Sequence, residues 1–376
     1  MGAGHDGAAR EIAGRLKAMG HDVVVEDLLH AAPIRIGQAL RAGYLFQLRH
    51  APATYEATYR LWFHAPWLCP WVTRLVTVLT RRTLRRWVDT CGADVVVSTY
   101  PLATLALGTM RARGQLGVPV VNFVTDFGVH PLWVHEGTDL TLTVDESAAT
   151  VARERTGGRV VASGPAVSAR FNPANLPARE EARTRIGLGS GDRAVLIVAG
   201  SWGVGGIATT MSEVSDSGFV PVVVCGRDER LRREVDGLAR TIAGRSVVIG
   251  WTGDMPGLMS ACDALVENAG GLTALEAMRA GLPVVSFEPI PGHGRENAGA
   301  MSAAGVSYWA EDGKDLASRL KAIVGPGPAR EEQLARAAAI FRQEPAALVA
   351  GLVRGATAPG PGVQDPAAGL REEPAR

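Results

Sequence analysis

The chain contains 376 residues with a net charge of +1, and 47% of its residues are hydrophobic and 20% charged. This length exceeds one typical core and predicts two domains, while the composition excludes a disordered chain. The nearly balanced charge argues against a nucleic-acid-binding protein.

Cysteine usage and hydropathy indicate the cellular compartment in which the protein is found. The four cysteines include no Cys-x-x-Cys pair, so the sequence predicts reduced thiols rather than a disulfide framework or a zinc site. We expect no signal peptide and no segment that spans a bilayer, because no apolar run is long enough. These features predict a cytoplasmic protein without a metal site.

The chain opens with a Gly-rich turn, residues 2–7, which runs directly into a predicted helix that ends at Gly20. Residues 21–26 follow, and their three consecutive valines predict a strand. A Gly-rich turn that leads into a helix normally follows a strand, and none precedes it here. The sequence therefore predicts either an N-terminal sheet that lacks its first strand or a misassigned start site.

A basic and aromatic segment follows. Residues 60–87 contain six arginines and no Asp or Glu, and Trp62, Trp67 and Trp71 accompany them. Trp and Arg on an apolar helix suit the headgroup layer of an anionic membrane. The alternative is a core helix with a solvated basic face.

Two predicted strands of the N-terminal domain cover residues 93–100 and 118–125. Asp126 directly follows the second of them. The carboxyl ends of strands in an open α/β sheet face the ligand crevice, so Asp126 is a candidate site residue. The alternative is that its carboxylate caps a turn.

Residues 172–177 have the composition of a linker. Beyond it, a strand over 194–198 leads into a Gly-rich loop over 199–206, so each half of the chain contains a Gly-rich loop that leads into a helix. The predicted divisions are an N-terminal domain (1–168), a linker (169–178), a C-terminal domain (179–328), a helical segment (329–354) and a disordered tail (355–376).

The most informative stretch is 265–297, which predicts a strand, a Gly turn, a helix, a second strand and a polar loop. The pair Gly270-Gly271 lets backbone amides approach a phosphate at the helix N-terminus. Glu276, one turn into the helix, would repel phosphate and suits a ribose diol. The alternative is an ordinary capping box, Thr273-x-x-Glu276.

In this order, these features resemble the GT-B glycosyltransferases, which have two Rossmann-like domains. The resemblance is greatest to the diacylglycerol sugar transferases of glycosyltransferase family 28, namely the monogalactosyldiacylglycerol synthases and the bacterial diacylglycerol glucosyltransferases. The segment 125–133, TDFGVHPLW, is similar to that family's TD…H-P-x-W segment. Family members usually have Gln where this chain has His293.

The resemblance implies a role for individual residues. Glu276 would bind the ribose of a UDP-sugar, Trp251 would pack near uracil, and His293 would contact the sugar. The implied donor-binding residues are Gly200, Ser201, Gly203, Arg227, Trp251, Thr252, Gly270, Gly271, Leu272, Thr273, Glu276, His293 and Asn297. The implied acceptor-binding residues are Gly4, His130 and Trp133, and the candidate bases are Asp126 first and His5 second.

The sequence thus predicts an α/β protein of the GT-B fold, with two Rossmann-like domains that face a central cleft. By resemblance the N-terminal domain would bind the acceptor and the membrane, and the C-terminal domain would bind the UDP-sugar. By resemblance it would be an inverting hexosyltransferase that uses a UDP-sugar as substrate and needs no further cofactor. The expected acceptor is a lipid hydroxyl, and diacylglycerol is the first choice. Residues 60–87 would place it on the cytoplasmic face of an anionic membrane. Two alternatives stay open: an isoprenoid-linked or other hydrophobic acceptor, and a non-catalytic relative that binds nucleotide-sugar or lipid.

Overall fold

A computed structural model describes residues 3–32, 37–39, 42–43, 46–47, 51–198, 205–242, 244–341 and 343–357. The first unit contains α1 (Ala3–Ala18), α2 (Leu28–Ala31), α3 (Pro52–His64), α4 (Cys69–Cys91), β1 (Val96–Ser98), α5 (Pro101–Ala112), β2 (Val120–Phe123), β3 (Leu140–Thr143), α6 (Glu146–Thr156) and β4 (Val160–Ala162).

Two 3₁₀ turns, Ala169–Phe171 and Pro173–Asn175, connect the units where the sequence predicts a linker. The second unit contains α7 (Arg179–Arg185), β5 (Ala194–Val198), α8 (Ile207–Asp216), β6 (Val220–Val224), α9 (Glu229–Ala239), β7 (Val247–Ile249), α10 (Met255–Ala261), β8 (Ala264–Glu267), α11 (Leu272–Ala280), β9 (Val284–Phe287), α12 (His293–Ala303), β10 (Tyr308–Ala310) and α13 (Gly313–Ile323).

Both units are built on parallel sheets. The strand order is β1-β2-β3-β4 in the first sheet and β10-β9-β8-β5-β6-β7 in the second. Every residue of β2, β3, β8 and β9 is buried. Helices cover both faces of such a sheet, so its strands are short runs of apolar and β-branched residues without alternation.

Two helices follow the second unit, α14 (Pro328–Ala339) and α15 (Pro345–Thr357). The last one returns to the first unit, where Val349 packs in the same buried cluster as Ile12 and Leu16 of α1. Arg15 also forms an ion pair with Glu344, just before α15. The chain is helical to Thr357, and the rest of the predicted disordered tail lies outside the described residues.

The strand predicted over residues 21–26 is wrong. Neither sheet includes these residues, and the side chains of Val24 and Val25 are 64% and 51% exposed. They lie instead along a cavity of about 1340 Å³, whose opposite wall includes β1. A strand needs a hydrogen-bonded neighbour, and no described residue fills the space beside β1. In the second sheet the equivalent space beside β8 is filled by β5.

Among the described residues, no helix is both long and apolar enough to cross a membrane. The longest of them, α4, has 23 residues, and its sequence contains five arginines.

Candidate active site

The two units meet where two helices begin. Helix α1 starts at Ala3 and helix α11 at Leu272, and a Cβ on Gly4 would lie 3.8 Å from the Cβ of Leu272. A Cβ on Gly7 would lie 2.4 Å from Leu272 Cδ2, so a larger residue there would require the Leu272 side chain to move. Both helix N-termini direct free N–H groups and partial positive charge into the cleft, which is an arrangement suited to an anion.

Asp126 lies in this cleft and is half-buried. Its Oδ2 accepts a hydrogen bond of 3.2 Å from Trp133 Nε1, and its Oδ1 accepts one of 3.4 Å from Thr125 Oγ1. Burial raises the pKa of the Asp126 carboxyl above its ordinary range, although the nearby His293 and these hydrogen bonds oppose the rise. A carboxyl with a raised pKa is suited to accept a proton in a reaction.

His5 stands beside this carboxyl. Thr125 Oγ1 lies 3.0 Å from His5 Nδ1, so one threonine contacts both candidate bases. The His5 ring packs edge-on against Tyr100 and Trp133 at centroid distances of 5.4 and 5.5 Å. Burial is the largest influence on the His5 imidazole and lowers its pKa to about 4. The ring is therefore neutral near pH 7, which leaves it able to accept a proton.

Trp133 is itself 2% exposed. In this structure it is a core residue that orients Asp126 rather than part of an open acceptor surface. His130 Nδ1 accepts a hydrogen bond of 3.1 Å from Leu132 N, and its ring lies 4.6 Å from that of Tyr59. Burial lowers the pKa of His130 to about 4.

The polar loop predicted after β9 is in fact helical from His293. Positions 293, 296 and 297 therefore share one face of α12, since residues three and four apart are neighbours on a helix. Asn297 Oδ1 accepts a hydrogen bond of 2.9 Å from Gly128 N in the first unit. Its Nδ2 donates one of 3.3 Å to Ala269 O, so the Asn297 amide joins the two units at the cleft.

Glu276 lies one turn into α11, as predicted, but the capping-box alternative is wrong. The N-cap residue is Gly271, and no side chain caps the helix. Thr273 is therefore already inside the first turn. Burial raises the pKa of the Glu276 carboxyl to about 7, and Arg170 opposes the rise. Within the described part of the chain, this carboxyl has no hydrogen-bond partner and is available to a ligand.

The Gly turn before α11 is organised by Glu267, a residue that the sequence analysis did not single out. Its carboxylate accepts hydrogen bonds from the backbone N–H groups of Ala269 and Gly270 and from Ser286 Oγ. Gly270 has φ +62°, and a Cβ there would lie 2.4 Å from the Cβ of Asn297. The sequence signal for this role was an acidic residue at the end of β8, shortly before the Gly turn.

Arg227 and Trp251 follow the neighbouring strands β6 and β7. The Arg227 guanidinium lies 4.1 Å from the centre of the Trp251 ring, which is 60% exposed. Thr252 Oγ1 accepts a hydrogen bond of 3.0 Å from Asp254 N and so shapes the turn after the tryptophan. An exposed ring with a cation on it provides a stacking surface for a planar base.

Three predicted donor-binding residues lie outside the described residues, namely Gly200, Ser201 and Gly203. No described part of the chain brings three or more His, Cys, Asp or Glu side chains together as metal ligands would require.

The two units, each built on a parallel sheet, and the cleft between them define the GT-B fold. MurG of Acinetobacter baumannii has a similar structure, with a TM-score of 0.50 and 17% identity over 75% of this chain and 79% of that chain. Os79 of O. sativa, solved in complex with UDP, gives a TM-score of 0.51 and 15% identity over 76% of this chain and 83% of that chain. At these identities the likeness shows the fold, and it confirms the fold class predicted from the sequence.

Residues 5–159 match the family model described as Monogalactosyldiacylglycerol (MGDG) synthase. The processive diacylglycerol beta-glucosyltransferase of Bacillus thuringiensis is 24% identical over 270 residues, which cover 71% of this chain and 69% of the relative. The Bacillus cytotoxicus protein of that name is 25% identical over 278 residues, which cover 73% of this chain and 70% of the relative. The resemblance to the diacylglycerol sugar transferases is thus confirmed.

Proposed function

We propose that this protein is an inverting glycosyltransferase that moves a hexose from a UDP-sugar to the hydroxyl of diacylglycerol. The observation that carries the proposal is the half-buried Asp126 carboxyl, which lies with His5 where the N-termini of α1 and α11 converge. The match of residues 5–159 and the relatives named diacylglycerol glucosyltransferase support the substrate class.

Asp126 is the base of the proposed reaction. The acceptor oxygen attacks the anomeric carbon of the sugar and gives its proton to Asp126. The bond from that carbon to the UDP oxygen breaks, and the electron pair leaves with UDP. The N-terminus of α11 offers N–H donors and partial positive charge to the phosphate charge that develops. His5 is the second candidate for the base.

The donor is held by the second unit. Trp251 stacks on the uracil, Glu276 accepts hydrogen bonds from the ribose hydroxyls, and the Gly turn at 270–271 admits the pyrophosphate. His293 and Glu296 face the first unit from α12, where the sugar would lie.

The acceptor is a lipid, and α4 provides a surface for a membrane. Along α4 and the preceding turn, Trp67, Trp71, Leu75 and Val78 are between 55% and 67% exposed. The five arginines of the same helix are also exposed, namely Arg74, Arg81, Arg82, Arg85 and Arg86, and Arg85 pairs with Asp89 at 3.5 Å. Exposed aromatics beside cations suit the interface of an anionic membrane, which we place at its cytoplasmic face.

The variant Arg81→Gln/Arg82→Gln tests this surface by vesicle co-sedimentation. Each Arg near an anionic surface contributes about 1 kcal/mol, so we expect the affinity for anionic vesicles to fall by a factor of roughly 30. Wild-type binding should weaken as salt rises. A matched control, Arg230→Gln/Arg233→Gln, removes two exposed arginines from α9 of the second unit and should bind as wild type does. Equal binding of both variants would contradict the assignment.

A direct assay tests the function. Purified protein is incubated with diacylglycerol vesicles and each UDP-sugar in turn, and lipids are separated and identified by mass. We expect one sugar to yield a monohexosyl lipid and UDP in equal amounts. Transfer to an isoprenoid-linked acceptor alone would change the acceptor assignment, and UDP-sugar binding without any transfer would indicate a non-catalytic relative.

A further inference from the structure

Helix α3 of the first unit makes a set of contacts that the proposed reaction has not used. Three side chains from a little over one turn of this helix, Tyr55, Glu56 and Tyr59, reach the start of α12 in the second unit. Tyr55 Oη lies 3.0 Å from His293 Nδ1, with the two rings edge-on at 5.9 Å. Tyr59 Oη donates a hydrogen bond to Glu296.

Glu56 completes the contact. Its carboxylate accepts a hydrogen bond from Gly292 N, one of the free N–H groups at the beginning of α12, and lies 3.9 Å from the Arg295 guanidinium. An acidic side chain at a helix N-terminus is stabilised by the free N–H groups and the helix dipole. Burial tends to raise the pKa of Glu56, but this hydrogen bond and the cations around it lower it overall, so the group is ionised.

Gly292 shows how closely the two helices approach. Its φ is +71°, and a Cβ there would lie 2.9 Å from both Tyr55 Cε1 and Tyr59 Cγ. Any other residue would clash with both tyrosine rings and strain the backbone. The contact therefore depends on a glycine at the N-cap of α12 as well as on the three side chains of α3.

We propose that Tyr55, Glu56 and Tyr59 form a clasp that closes the cleft and positions His293 and Glu296 for the donor sugar. The clasp residues are positioning residues, because they act through α12 and not on the reacting atoms. This inference rests on the proposed function, in which the sugar lies at α12 while uracil and ribose contact Trp251 and Glu276. The clasp thus acts on recognition of the sugar and leaves recognition of UDP unchanged.

The clasp also joins the donor site to the membrane surface. Helix α3 is followed by the turn Pro66–Leu68 and then by α4, whose exposed Trp71 and arginines we assign to lipid contact. The element that contacts the sugar-binding helix is therefore next in sequence to the element that contacts the acceptor's membrane.

The first test compares binding of UDP-sugar and of UDP by calorimetry. In Tyr55→Phe/Tyr59→Phe, each lost hydrogen bond weakens sugar recognition by about tenfold, so UDP-sugar affinity should fall by roughly 10- to 100-fold while UDP affinity changes less than twofold. Glu56→Ala should behave similarly, and Glu56→Gln, which keeps an acceptor for Gly292 N, should recover most of the loss. The matched control is Tyr308→Phe, on β10 and away from the cleft.

The second test needs no turnover. Cys69→Ser with Arg240→Cys leaves one exposed native thiol, Cys91, and one new thiol in the second unit, since Cys225 and Cys262 are buried. Spin labels at both positions report the distance between the units. Removal of the clasp by Tyr55→Phe/Glu56→Ala/Tyr59→Phe, or by Gly292→Ala, should lengthen and broaden this distance, and Tyr308→Phe should not.

The clasp proposal would be overturned if the clasp variants kept both the wild-type distance between the units and the wild-type ratio of UDP-sugar to UDP affinity. If the wild-type protein binds no UDP-sugar, the proposed function fails, and the distance measurement still decides whether α3 closes the cleft. A loss of both UDP-sugar and UDP affinity in the double Phe variant, at unchanged melting temperature, would also contradict the assignment of the clasp to the sugar.

Discussion

Replacement of Asp126 by Asn should lower turnover by about 10²–10⁴ while UDP binding survives, because the amide keeps the shape of the carboxyl and loses its basicity. Trp133 Nε1 and Thr125 Oγ1 both donate to this carboxyl, and an Asn side-chain oxygen can accept one of these hydrogen bonds. The measurement is single-turnover formation of the hexosyl lipid, with UDP affinity determined by calorimetry on the same preparation.

Asp145 provides the matched control. It also follows a strand end, β3, but its carboxylate caps α6 by accepting a hydrogen bond of 2.9 Å from Ala148 N. Asp145→Asn should therefore affect the melting temperature and leave turnover near wild type. Near-wild-type turnover in Asp126→Asn would move the base to His5, and His5→Ala becomes the next variant. Collapse of both UDP binding and melting temperature in Asp126→Asn would instead show that Asp126 is structural.

Replacement of Glu276 by Ala should weaken UDP binding by about 1.5–3 kcal/mol, the contribution of a hydrogen bond to a charged group. The expected change in the dissociation constant is thus roughly 10- to 150-fold. Calorimetry with UDP measures it, and calorimetry with uracil-containing ligands that lack the ribose hydroxyls provides the specific comparison. Those ligands should bind wild type and Glu276→Ala equally.

Glu276→Gln separates charge from shape. It keeps an oxygen that accepts hydrogen bonds, so its UDP affinity should lie between those of wild type and Glu276→Ala. Since burial raises the pKa of Glu276 to about 7, the wild-type advantage over Gln should shrink as the pH falls below 7 and the carboxyl gains its proton. Equal UDP affinity of all three proteins at pH 8, with unchanged melting, would remove Glu276 from the donor site.

The sequence predicted the second unit well because its elements are bounded by local signals. The strand and helix around Gly270 and Gly271 were predicted in the correct order, since a buried apolar run ends at a Gly turn and the helix ends just before Gly281. Asp126 and His5 were both identified, but the threonine that contacts both of them was not assigned a role. That contact joins residues 120 positions apart and has no local sequence signal.

The predictions that failed depended on contacts over long sequence separations. Residues 21–26 have strand composition but lack a paired neighbour, and propensity cannot supply one. The start of α12 was predicted as a loop because Pro and Gly precede it. In the structure, Glu56 accepts a hydrogen bond from the N–H of Gly292, the N-cap of α12, although the two residues are 236 positions apart. The clasp was missed for the same reason, because residues 55–59 carry no pattern that points to 292–296.

The cavity beside β1 has a consequence for how the protein unfolds. Side chains that line a cavity lack packing partners on one side and lose that dispersion energy, so the cavity lowers the stability of the first unit. The two units therefore need not melt as one cooperative transition. The earlier transition then reports the first unit, while a ligand held by the second unit raises chiefly the later transition. Calorimetric scans that resolve the two steps assign each variant's stability to the unit that carries it.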